Sequence, residues 1–279
     1  MRKARWVIGL AMLLLLAGLA GCVPRLQGPL PPRAQVQDFQ LISIDPFSDS
    51  ARFALDLKIS NPNAFELPLQ ESTLTLYFGS AKIPFELPQM TIPAAGFEIV
   101  PAQVTVPLQA SAAEVRRLLA GDRVRVRITG KMKAELGPVP VTLGPFTLLD
   151  ENVSVNLQFA VPAFKVLPER SSLSLSGSQL RVVVGFQVAN PNPLGFYLRG
   201  PVELVIGGRP VAQASLDMPL RPRQSGTGEL TFAVNLSEVP GAATAVLAGL
   251  QIEVRGGIKA EIPGIWQQVT DFLLGGRIR

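Results

Sequence analysis

Arg52 to Leu69 reads RFALDLKISNPNAFELPL, and Arg181 to Leu198 reads RVVVGFQVANPNPLGFYL. Each is an alternating run that ends in Asn-Pro-Asn. In the first, Phe53, Leu55, Leu57 and Ile59 share one face, with Arg52, Asp56, Lys58 and Ser60 on the other. In the second, Val182, Val184, Phe186 and Val188 repeat the apolar face. A half-buried strand requires this period of two. The prolines explain why the strands stop: Pro62 and Pro191 have no N–H to give a ladder. Asn61 and Asn190, each before proline, are driven to extended dihedrals. The side chains of Asn61, Asn63, Asn190 and Asn192 can bond nearby backbone and cap the turn. Asn190 follows Asn61 by 129 positions, and Val182 follows Phe53 by the same 129.

The two copies stay in step beyond the motif. Thr73 to Phe78 (TLTLYF) and Val202 to Ile206 (VELVI) alternate again and meet Gly79-Ser80 and Gly207-Gly208. Glycine there supplies the positive φ of a tight hairpin. Val104, Val106 and Leu108 are matched by Phe232, Val234 and Leu236. Each copy then changes period. Ser111 to Ala120 has Ser111 and Glu114 spaced as a capping box, with Gly121 as a stop. Ser237 to Ala248 stops at Gly249 in the same way. The spacing predicts one short helix per copy. A last strand pair closes on Lys133-Ala134-Glu135 and on Lys259-Ala260-Glu261. A body of about 245 residues, rich in short alternating runs, predicts an all-β protein of two tandem sandwich domains. Repeats of this length are complete domains rather than solenoid units.

The chain begins as an export signal. Arg2, Lys3 and Arg5 precede an uncharged run from Trp6 to Ala20, then Leu19-Ala20-Gly21-Cys22. The run is too short and wrongly flanked for a stable spanning helix. The small residues before Cys22 resemble the lipobox of bacterial lipoproteins. That resemblance implies cleavage before Cys22 and acylation of its thiol and new amine. Cys22 is the sole cysteine, so no internal disulfide competes for it. Several acyl chains, at ~0.8 kcal/mol per buried methylene, would anchor the protein on a membrane. Val23 after the cysteine resembles lipoproteins that move to an outer membrane, which implies a place in the bacterial envelope facing the periplasm. The assignments along the chain are a signal at 1–21, a Pro-rich tether at 22–36 and domains at 37–158 and 159–279. Loss of the signal removes three of the five net positive charges. A nearly neutral chain without a clustered basic run argues against a nucleic-acid partner.

The alternating strand ending in Asn-Pro-Asn, the glycine hairpin, the short helix and the closing strand pair resemble the water-stress and hypersensitive-response (WHy) domain. This is also known as the type 2 late-embryogenesis-abundant (LEA) fold. The resemblance covers nearly all of residues 39–275 as two copies. It implies immunoglobulin- or fibronectin-III-like sandwiches, a role in desiccation or other stress, and no catalytic residues. Asn61, Pro62, Asn63, Asn190, Pro191 and Asn192 are then structural residues of the family motif.

The residues give little support for catalysis. Histidine is absent, which removes His-based nucleophile systems and the commonest metal ligand. No phosphate-binding glycine loop opens a helix. No cofactor or metal is expected. Asp45 and Asp49 in DPFSD either cap a turn, the favoured reading, or begin a calcium site, which would need six or more oxygens. Asp150-Glu151 in LLDENVS reads as a solvated interdomain linker. Arg123, Arg125 and Arg127 alternate with Val124, Val126 and Ile128, as a solvent face or, second, as a contact for anionic headgroups. Ile262, Ile265, Trp266, Val269, Phe272 and Leu273 form a helical stripe. That helix either closes the second sandwich or docks on a membrane or partner. The function expected is non-enzymatic: stress tolerance or envelope maintenance at a membrane reached through Cys22. The alternative is a periplasmic module that binds an apolar lipid or a protein partner.

Overall fold

The computed structural model describes residues 29–137, 139–238 and 250–278. The chain is all-β and forms two domains. The first has strands β1 (Arg33–Asp45), β2 (Ser50–Ser60), β3 (Leu67–Leu69), β4 (Ser72–Phe78), β5 (Ala81–Leu87), β6 (Met90–Ile92), β7 (Phe97–Pro107), β8 (Val124–Leu136) and β9 (Val139–Val153). Helix α1 (Ala112–Leu119) lies between β7 and β8. One sheet has the order β1-β2-β7; the other runs β5-β4-β8-β3-β6, with β9 also paired to β8.

The second domain uses the same plan. Its strands are β10 (Ala163–Val166), β11 (Ser172–Ser176), β12 (Gln179–Ala189), β13 (Phe196–Ile206), β14 (Arg209–Leu220), β15 (Ser225–Asn235), β16 (Leu250–Ile262) and β17 (Trp266–Ile278). β12 pairs with β10, β11 and β15, and the other sheet is β14-β13-β16-β17. The registers coincide. Phe53 faces Val104 across β2 and β7, and Val182 faces Phe232 across β12 and β15. The long β1 corresponds to β10 and β11 together, because a 3-10 turn at Pro168–Arg170 interrupts the second copy.

The alternating faces are buried as their period requires. Phe53, Leu55, Leu57 and Ile59 are in the core, as are Val182, Val184, Phe186 and Val188. Each such side chain contributes roughly 1.5–3 kcal/mol of burial. Helix α1 buries Val115 and Leu118 against the sandwich. It ends in a Schellman arrangement: the Gly121 N–H bonds the Leu118 carbonyl and the Asp122 N–H the Arg117 carbonyl, with Gly121 at φ +86°. The capping box does not form at its start. The Ser111 hydroxyl instead donates to the Pro107 carbonyl at 2.7 Å.

Three further expectations are overturned. The residues read as a last strand pair lie on one strand in each copy: Val124, Val126 and Lys133 to Glu135 on β8, and Ile252, Val254 and Lys259 to Glu261 on β16. The tail is a strand rather than a helix: β17 pairs with β16 from Ile262↔Trp266 to Leu250↔Ile278. The turn between them holds Gly264 at φ +71°. Asp150-Glu151 is likewise no linker but part of β9, with Asp150 opposite Arg127 and Glu151 opposite Val126. The second predicted helix, at 237–248, falls largely outside the described residues, beyond a 3-10 turn at Leu236–Glu238. Residues 1–28, including Cys22, also lie outside them.

Candidate functional site: a duplicated asparagine clamp

Each Asn-Pro-Asn forms a buried hydrogen-bonded knot where its strand ends. Pro62 and Pro191 point to solvent while the four asparagines are buried. In the first copy the Asn61 amide donates to the carbonyls of Phe65 at 2.7 Å and Pro93 at 3.1 Å. In the second, Asn190 donates to those of Leu194 at 2.7 Å and Arg221 at 2.9 Å. The oxygen of Asn61 accepts from the backbone and side-chain N–H groups of Asn63, and Asn190 accepts the same pair from Asn192. Two asparagines thus spend their whole capacity inside the protein. The desolvation cost of burying these amides is offset because every group is paired.

The second asparagine of each motif does something further. Asn63 accepts from the Leu30 N–H at 2.8 Å and donates to the Leu30 carbonyl at 2.9 Å. Asn192 treats Ala160 in the same way, at 2.7 Å for both bonds. Each side-chain amide therefore grips the backbone of the segment that leads into its own domain. The facing loop closes the knot. Ala95 and Arg223, at φ +50° and +53°, donate their N–H groups to the carbonyls of Asn63 and Asn192. Leu30 and Ala160 were missed by sequence reading, because a clamp on backbone leaves no side-chain signature at its target.

The pole that carries the second motif also receives the first domain. Ile44 and Leu194 form a parallel bridge, with Ile44 N–H to the Pro193 carbonyl at 2.8 Å and Gly195 N–H to the Ile44 carbonyl at 2.6 Å. Both side chains are buried. Around them Phe47 meets Tyr197 edge to face at 5.1 Å, and Arg221 pairs with Asp45 at 3.4 Å. The β1–β2 turn of the first domain thus sits on the Asn-Pro-Asn pole of the second, and the domains join head to tail.

The remaining candidates have structural roles. Asp45 accepts the Phe47 N–H at 3.0 Å within the turn, and Asp49 accepts the Gln109 N–H at 2.8 Å. In the arginine row, Arg125 donates to Asp150 at 2.6 Å and Arg127 stacks on Tyr77 at 4.6 Å. The hydrogen bond from Arg125 holds the Asp150 carboxyl below the usual carboxylate range. Glu151 accepts the Val36 N–H at 3.0 Å and so ties β9 to β1. These groups form no convergent set for acid–base or metal chemistry.

Residues 56–144 match the family model described as Late embryogenesis abundant protein (LEA_2). The first repeat is LEA type 2-like. No curated protein matches the chain. Among solved structures, a protein from Archaeoglobus fulgidus is similar over 43% of this chain and 96% of its own, at 17% identity and TM-score 0.28. Red sea bream transglutaminase is similar over 87% of this chain at 13% identity and TM-score 0.28. The exo-chitosanase CsxA of Amycolatopsis orientalis is similar over 78% at 14% identity and TM-score 0.23. The chain spans 31% of that transglutaminase and 25% of that chitosanase. These likenesses carry no inference about activity.

Proposed function

We infer that the protein is a non-enzymatic, lipid-anchored component of the bacterial envelope, of LEA type 2/WHy kind, serving stress tolerance or envelope maintenance. The observation that carries this reading is the duplicated clamp. In both copies the motif that marks the family resemblance is consumed by internal hydrogen bonds, so it preserves the scaffold and offers no reactive group. The LEA_2 match over residues 56–144 supports the family-level role. The charged start, apolar run and Leu-Ala-Gly-Cys sequence support acylation at Cys22, and Val23 directly after it supports the outer-membrane location.

The mechanism is steric. A closely packed, persistently folded surface next to the membrane separates labile neighbours as water is withdrawn. The test is to dry and rehydrate a desiccation-sensitive enzyme with the purified protein or with an equal mass of albumin. Greater recovery than with albumin is expected, and equal recovery would sink the role. Pull-down from membranes with Cys22 intact, against Cys22→Ser, tests the anchor and names the neighbours.

A further inference from the structure

The two clamp poles are related by the repeat but differ in what covers them. Leu194 in the second copy corresponds to Phe65 in the first. Leu194 is fully buried beneath the β1–β2 turn, whereas Phe65 is 44% exposed. The first domain thus has a pole of the kind that forms the interdomain contact, with no domain upon it among the described residues.

That pole gathers exposed apolar side chains. Leu30 (50% exposed), Phe65, Phe97, Ile99 and Val139 (56% exposed) all lie there. Leu30 is held by Asn63, Phe97 stands opposite Ser60 at the end of β2, and Val139 faces Leu136 at the β8–β9 tip. They account for five of the nine large hydrophobics most exposed among the described residues. Between them Pro29, Phe65, Pro68 and Leu136 line an open hollow of about 550 Å³, with Glu66, Glu135 and Gly137 completing its wall. Lys58 lies beside this rim, its ammonium 4.2 Å from the Phe97 ring centroid. Scattered single apolar residues need no explanation, but a concentration at one end marks a contact surface.

The length of chain in front of Leu30 identifies the occupant. Leu30 lies eight chain steps beyond Cys22. Fully extended they reach at most roughly 28 Å. An acyl chain on Cys22 therefore keeps this pole within a tether's length of the headgroups.

We propose that the Asn61–Asn63 pole of the first domain docks on the bilayer, with Leu30, Phe65 and Val139 inserted at the headgroup–acyl boundary. The proposal rests on the anchor inferred above. The anchor brings the domain to the membrane; the apolar rim sets which end faces it. Because the domains join head to tail, the second then points away from the bilayer.

The test uses the full lipidated chain, in which acylated Cys22 leaves no free thiol. Phe65→Cys, Val139→Cys and Leu175→Cys each introduce one, at exposed positions; Leu175 lies at the free tip of the second domain. Circular dichroism confirms that each variant folds. An environment-sensitive dye is attached to each, and the proteins are reconstituted in phosphatidylethanolamine–phosphatidylglycerol vesicles carrying a nitroxide-labelled lipid. Insertion of the rim to about 5–10 Å should quench the dyes at 65 and 139 at least about twofold more than the dye at 175. Equal quenching at all three positions overturns the docking. So does a dye at 65 that is shielded from water, untouched by nitroxide and released on dilution, which would mean that a second copy covers the pole. Thiol labelling of the unsubstituted protein reads the anchor separately. If Cys22 labels, the anchor fails and the docking falls with it; if Cys22 is blocked and position 65 is unquenched, only the docking fails.

Discussion

The ring of Phe159 lies 4.9 Å from the indole of Trp266, and Phe196 is 5.8 Å from Phe159. Phe159 belongs to the segment between the domains and Trp266 opens the last strand, so the beginning and end of the second domain pack on each other. Deleting residues 266–279 therefore removes a sheet strand and the lid over Phe159 together. The second domain should lose its cooperative transition while the first keeps its own, as read by calorimetry. An unchanged second transition would contradict this role for β17.

The clamp predicts unequal effects of small changes. Asn63→Ala leaves the Leu30 peptide without its two partners, at a cost of about 1–3 kcal/mol. Asn61→Ala should cost more, because it also strips the donor from the carbonyls of Phe65, Ile92 and Pro93. Urea unfolding measures both. Equal and negligible losses would mean that the knot adds little to stability.

Asn192→Asp sharpens the point. It replaces the amide that faces the Ala160 carbonyl and the Asn190 oxygen with a carboxylate oxygen. An acceptor then opposes two acceptors, and the variant should be less stable than Asn192→Ala once ionised. Denaturation at neutral pH and near pH 3 separates the two, since protonation restores a donor.

Leu194→Ala tests the joint between domains. It opens a cavity against buried Ile44 and should cost about 2–5 kcal/mol. Gly195→Val acts from the other side: even a Cβ there would lie 2.9 Å from Pro222 and 3.2 Å from Pro46. Both variants should increase the radius of gyration in small-angle scattering. No change in either would sink the head-to-tail contact.

The Asp150 carboxyl is held low chiefly by the hydrogen bond from Arg125. A depressed folded-state value stabilises the protein above the ordinary carboxylate range, and this contribution disappears as pH falls through the folded value. Carboxyl NMR should find Asp150 titrating below the ordinary aspartate value, and Arg125→Gln should raise it. Titration at the ordinary value in the parent would refute the pairing.

Much of this fold was legible because period and turn chemistry agreed. The β2 and β12 faces, the Gly207-Gly208 hairpin and the Gly121 stop are local features, and each formed as read. The tail was not legible from period alone. Its apolar positions suit a helix, but as an edge strand β17 turns Leu274 inward and leaves Val269 and Leu273 exposed. The repeat held the better signal: β9 follows β8 in the first copy, so a strand was due after β16. Missing β9 concealed this, since acidic Asp150-Glu151 resembles a linker until Arg125 is found opposite. The clamp's targets had no signal at all, because Asn63 and Asn192 grip only peptide groups.

A pull on the chain ahead of Leu30 has a defined first bearing. Tension applied ahead of Leu30 reaches the first domain at a peptide already held on both sides by Asn63, before it reaches the ladder of β1. Strain passed on through the segment after β9 meets a second catch of the same make, at Ala160 and Asn192. Each domain is thus moored by its own inlet, and a tug on one end is borne by side-chain amides before it can peel a strand.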